Sequence, residues 1–169
     1  MERTKIVLDA DVIIHFSKGG VLSLLPKIFP EYDYIVLSIV YDEIKTVAKQ
    51  LDNQIHYFKD ITLQNFQPTN EMKREYIMLT SRFGRGESAC MAYCRFTNNV
   101  IGSSNLKDIT DYCNQYEITH LSTLDFLYYA YTKGLISLEE ANGFIQEVIS
   151  KGSHLPKISI DKYNCQVVL

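Results

Sequence analysis

The chain has 169 residues, 46% of them hydrophobic and 22% charged, with a formal net charge of -3 at pH 7. Those proportions are ordinary for a water-soluble globular protein, and no apolar stretch reaches the ~20 residues that a membrane-spanning helix requires. The slight negative balance excludes nucleic-acid binding driven by bulk positive charge, so any such contact must rest on local cationic groups.

In chain order, a strand is predicted over 5–9 and a helix over 12–17 that Gly19-Gly20 ends. A helix over 21–29, a strand over 33–37 and a helix over 39–51 follow, then a candidate edge strand over 61–66. Pro68 precedes a helix over 70–82, and another helix covers 86–97. A strand over 100–103, a helix over 106–116, a strand over 118–121 and helices over 123–133 and 138–151 complete the pattern, with Gly152 as the last stop. Residues 155–169 alternate weakly at Ile158 and Ile160, which fits an added strand, a surface arm or a dimer contact.

Alternating strands and helices predict an α/β fold, a three-layer α/β/α sandwich around a central parallel sheet of four to five strands. One domain is expected over 1–152, with an extension over 153–169 that packs on the domain or on a partner. Glu2, Arg3, Lys5 and Asp9 interrupt any leader-like start, so a cytoplasmic location is expected. Cys90, Cys94, Cys113 and Cys165 have no Cys-x-x-Cys spacing and no histidine at finger distance. They read as free thiols in a reducing compartment rather than as zinc ligands.

The acidic residues at element boundaries carry the chemistry. Asp9 and Asp11 sit where the first strand ends, and in a parallel sheet such ends face a crevice. Helix capping accounts for one of them, but two acids on one short turn repel unless a cation or donors compensate. Glu43 lies on the border of the stripe Val40, Ile44, Val47 and Leu51, a place open to solvation as well as to function. Glu87 heads the face of Cys90, Met91 and Cys94, where either the helix dipole or a ligand would accommodate it. Asp108 follows Ser103-Ser104-Asn105 and has the spacing of a capping-box acid if Asn105 is the N-cap. The run from Lys73 to Arg95 holds five basic residues (Lys73, Arg74, Arg82, Arg85, Arg95) against two acidic ones (Glu75, Glu87). It reads as a solvated face, or as phosphate contacts beside Glu87.

Over residues 4–150 this order of acids resembles the PIN domain, the nuclease fold of VapC-type toxins and related RNA-cleaving proteins. Leu8-Asp9-Ala10-Asp11 matches the acidic end of that family's opening strand, and Val40-Tyr41-Asp42-Glu43 its helical glutamate. Gly84-Arg85-Gly86-Glu87-Ser88-Ala89 matches its third acidic element. Where the family places aspartate at the end of the next strand, this chain has Ser103-Ser104-Asn105, so Asn105 and Asp108 stand in as a neutral oxygen and a displaced carboxylate.

The resemblance implies an endoribonuclease that hydrolyses phosphodiester bonds in single-stranded RNA. Hard oxygen ligands suit Mg²⁺ or Mn²⁺. Asp9 and Glu87 are the principal ligands expected, with Asp11, Glu43, Asn105 and Asp108 completing the site and orienting water. Arg82, Arg85, Ser103 and Ser104 are the substrate contacts expected. The resemblance also implies a role as the toxin of a toxin–antitoxin pair, with a small antitoxin protein or a second copy as partner. Two alternatives stay open. One is a degenerate PIN-like module that binds RNA or a protein without cutting. The other is a phosphatase of the haloacid-dehalogenase type, whose Asp-x-Asp nucleophile motif Asp9-Ala10-Asp11 resembles, although the chain has no late Gly-Asp-x-x-x-Asp element.

Overall fold

In the computed structural model, which describes residues 3–169, every strand of the sheet runs in the same direction. The strands are β1 (Lys5–Leu8), β2 (Asp33–Leu37), β3 (Ile61–Gln64), β4 (Val100–Gly102) and β5 (His120–Leu121), in the order β3-β2-β1-β4-β5. Val7 is registered between Ile35 and Ile101, so β1 lies at the centre. Helices cover both faces, which is why Ile6, Val7, Leu8, Val36 and Leu37 form an uninterrupted buried run rather than an alternating one. This is the three-layer α/β/α sandwich expected from the sequence.

The helices are α1 (Ala10–Lys18), α2 (Leu25–Ile28), α3 (Ser38–Glu43), α4 (Ala48–Asp52), α5 (Asn70–Thr80), α6 (Arg85–Thr97), α7 (Leu106–Gln115), α8 (Thr123–Thr132) and α9 (Leu138–Ser150). Among the described residues none is long and apolar enough to cross a membrane. Sequence order runs outward from β1 through β2 to β3, then returns to the other side of β1 for β4. That reversal opens a crevice between the carboxyl ends of β1 and β4, the usual place for a ligand in such a sheet.

Three segments depart from expectation. The helix expected over 21–29 is a 3₁₀ turn, Leu22–Leu24, followed by α2, because Pro26 has no N–H and is accommodated only in a first turn. The helix expected over 39–51 breaks after Glu43: Ile44 turns extended, and both Ile44 and Val47 are then buried. β-Branched residues at 44, 46 and 47 resist that exchange little, since their helix propensity is low. A π-helical turn, Asn53–Phe58, which the pattern does not show, ends at Lys59 in the left-handed region.

The segment after α9 is an arm with one 3₁₀ turn, Ile160–Lys162, and no added strand. Asn142 on α9 holds it, accepting from Ile160 N at 2.9 Å and donating to Ser159 Oγ at 2.9 Å. The Tyr163 hydroxyl donates to Asp125 Oδ1 on α8 at 2.8 Å, and Ile160 is fully buried. All four cysteines are free thiols, and burial pushes those of Cys90 and Cys94 well up.

Candidate active site

Asp9 leaves β1 and becomes the N-cap of α1, its Oδ1 accepting from Ala10 N at 2.8 Å. Its backbone N–H still donates to Gly102 O at 2.8 Å, which ties the strand end to β4. Its other oxygen accepts from the Ser103 hydroxyl at 3.2 Å, leaving the residue only 6% exposed. Asp11 lies in the first turn of α1, where Oδ1 accepts from Val12 N at 2.6 Å and Oδ2 from Ser104 N at 2.8 Å. Desolvation above all, then repulsion from Asp11 and Glu87, push the Asp9 carboxyl up to about 8. Asp11 is raised as well, again chiefly by burial.

Glu87 occupies the first turn of α6 and points toward the same crevice, its carboxyl pushed up to about 7 by burial and by the charge of Asp108. Asn105 joins the two: its Nδ2 donates to Glu87 Oε1 at 2.9 Å and to Asp108 Oδ2 at 2.8 Å. Asn105 is the N-cap of α7, but its side chain makes no cap bond to the helix backbone. It therefore presents its amide nitrogen, not its oxygen, to the carboxylates. Asp9, Asp11, Glu87 and Asp108 thus converge from three helix starts.

Glu43 serves a different element. It is exposed at the end of α3, and its Oε1 accepts from Gly86 N, on α6, at 3.1 Å. The N-cap of α6 is Gly84, which has no side chain to cap with, and Glu43 supplies a carboxylate from another helix. Gly86 permits this approach, since a Cβ there would stand 2.5 Å from Glu43 Oε2. Arg85, exposed, lies beside the Tyr76 hydroxyl and toward Glu43 and Asp42. Arg82 lines a cavity of about 400 Å³ with Lys107, Asp108, Asp111, Phe83 and Tyr116.

Ser103 and Ser104 lie beneath the carboxylates. Ser103 is fully buried and its hydroxyl donates to Asp9 and, at 3.4 Å, to Asp11. The Ser104 hydroxyl donates to Thr123 Oγ1 at 2.6 Å and accepts from Thr123 N at 2.8 Å. Thr123 Oγ1 is in turn 2.8 Å from His15 Nδ1. Sequence reasoning missed Thr123 and His15. The available signals were that His15 falls one helical turn after Asp11, and that Thr123 opens the helix after the last strand. Burial, with the nearby Lys18 charge, pushes the His15 imidazole down to about 4, so it is neutral.

Several acids close together, three of them with raised carboxyls, form a centre short of positive charge. The ion pairs among the described residues lie elsewhere, in Arg95–Glu75, Lys151–Glu147 and Arg3–Asp33. Among the described residues no group of three or more His, Cys, Asp and Glu side chains is already arranged to hold a metal ion, and the Asn105 amide stands between Glu87 and Asp108 instead. The donor set nevertheless fits a hard divalent cation, since it is all oxygen and carries the excess negative charge that such an ion offsets.

A family model described as a PIN domain matches residues 5–164. No curated protein matches the chain.

Proposed function

The chain belongs to the PIN-domain family, and on that premise we propose that its acidic crevice is the centre of a metal-dependent endoribonuclease acting on single-stranded RNA. The observation that carries this reading is the convergence of Asp9, Asp11, Glu87 and Asp108 at the point where the strand order reverses. Asp9 and Glu87, the two most perturbed acids of the centre, are the residues to hold Mg²⁺ or Mn²⁺. Bound there, the cation supplies Lewis-acid polarisation of a phosphate oxygen and a more acidic water.

Asp11, whose Oδ2 is held by Ser104 N, would add a further oxygen to the ligand set, and Asp108 would orient a water for in-line attack. Ser103 keeps the Asp9 and Asp11 carboxylates in register from below. Arg82, at the edge of the cavity next to Asp108, is placed to take the flanking phosphate. A small antitoxin-like protein and a second copy of the chain remain proposed partners.

Cleavage of labelled single-stranded RNA with Mg²⁺ or Mn²⁺, its loss in chelator and its loss in Asp9→Asn test the reading. Cleavage that persists in Asp9→Asn rejects it. The Asn105 amide favours a second reading, a non-cutting binding module, because it already satisfies Glu87 and Asp108 without a cation. RNA retention without cleavage in any divalent cation would select that reading.

A further inference from the structure

Asp11 and His15 are one turn apart on α1, and two residues from elsewhere in the chain close a hydrogen-bonded circuit between them. Ser104, just past β4, gives its backbone N–H to Asp11 Oδ2 at 2.8 Å. Its hydroxyl donates to Thr123 Oγ1 at 2.6 Å while accepting from Thr123 N at 2.8 Å, so two bonds fix Ser104 against the start of α8. Thr123 has a single hydroxyl proton. Because its oxygen accepts from Ser104, that proton is free for His15 Nδ1, 2.8 Å away.

We propose that His15 is a positioning residue of the acidic centre: acting through the Thr123 and Ser104 hydroxyls, it fixes the orientation of the Asp11 carboxylate. The circuit has one polarity. The polarity that pairs every hydroxyl proton has His15 accepting at Nδ1 with its proton on Nε2, since an Nδ1–H would leave one proton of the buried Thr123–Ser104 hydroxyl pair without an acceptor. His15 and Thr123 are both buried and lie behind the crevice, so they act on Asp11 without touching substrate. Partners behind a metal ligand ordinarily set its direction and with it the affinity of the site. The functional consequence rests on the metal-nuclease reading above; the circuit itself does not.

The test is Mn²⁺ binding by calorimetry to the full chain and to four variants, with unfolding midpoints checked in parallel. His15→Leu and Thr123→Val remove the acceptor and the hydroxyl and are expected to weaken Mn²⁺ binding about tenfold. His15→Asn, whose Oδ1 replaces the Nδ1 acceptor, and Thr123→Ser are expected to bind within about twofold of wild type. Equal weakening by the conservative and the apolar variants overturns the proposal, as does unchanged binding in both apolar variants. Wild-type protein that binds no Mn²⁺ overturns the metal reading instead. The circuit is then judged by ¹⁵N NMR of the His15 ring, where an Nε2–H tautomer supports it and an Nδ1–H tautomer overturns it.

Discussion

Glu43 and Gly86 are 43 positions apart in sequence, and the carboxylate of one accepts the backbone N–H of the other at 3.1 Å. Through this bond α3 caps α6 and holds the turn from which Glu87 projects. Glu43→Ala is expected to destabilise the fold by about 1 kcal/mol, the usual worth of an N-cap, whereas Glu43→Gln keeps an accepting oxygen and most of the stability. Urea unfolding of the two variants checks this. Equal loss in both would mean that the charge, not the bond, matters.

Asp9 governs a pH dependence whose sign follows from its raised carboxyl. The unfolded chain loses the proton near 3.8 and the folded one near about 8, so the folded state binds more protons between those values. The associated stability is fully present below 3.8 and is lost as pH rises through about 8. Glu87 adds to the same slope between 4.5 and about 7. In chelator, wild-type protein is therefore expected to weaken across this window, and Asp9→Asn to show a flatter curve, in unfolding followed over a pH series.

Asn105→Asp replaces the donor between Glu87 and Asp108 with another carboxylate. Without metal the variant is expected to unfold at lower temperature than wild type near neutral pH, because like charges then meet unrelieved. Added Mg²⁺ is expected to raise its midpoint by more than it raises that of wild type, since a cation relieves the larger repulsion. A thermal shift series against Mg²⁺ concentration measures both.

Arg82→Ala is expected to weaken RNA binding while leaving turnover of bound RNA largely unchanged, because Arg82 lines the cavity flanking the centre and makes no hydrogen bond or ion pair with Asp9 or Glu87. If it neutralises one phosphate of a single strand, the slope of log affinity against log salt falls by about 0.7. Binding isotherms at several salt concentrations give that slope.

Tyr163→Phe removes the hydroxyl that donates to the buried Asp125 at 2.8 Å. Asp125 also closes the capping box of α8 with Ser122. A loss of about 1.5–3 kcal/mol is expected, the range for a hydrogen bond to a charged group. Chemical unfolding measures it.

Much of the architecture is legible because its signals are local. The apolar runs Lys5–Leu8 and Asp33–Leu37 read as strands without reference to anything distant, and Ile61–Gln64 does so as the edge. The break at Ile44 is not legible, since the helical stripe continues through it and the residues that stop the helix carry no Gly or Pro signal. The acids of the site stand out singly as strand-end and helix-start residues. Their roles do not. Glu43 looks like a border residue until α6 is brought to it, and Ser103, expected as a substrate contact, is fully buried and donates to Asp9 and Asp11 once β4 is set beside β1.

The sequence by itself determined the α/β alternation, the crevice-facing ends of β1 and β4, and the candidacy of Asp9 and Glu87, because periodicity and capping spacing act over one or two turns. Tertiary structure alone decided which groups meet. It set Asn105 between Glu87 and Asp108, Glu43 on Gly86, and His15 behind Asp11 through Thr123 and Ser104. Those contacts join residues up to 108 positions apart, as in His15 and Thr123. Hydrogen bonds act over about 3 Å, so only the stacking order of strands and helices brings such partners within reach.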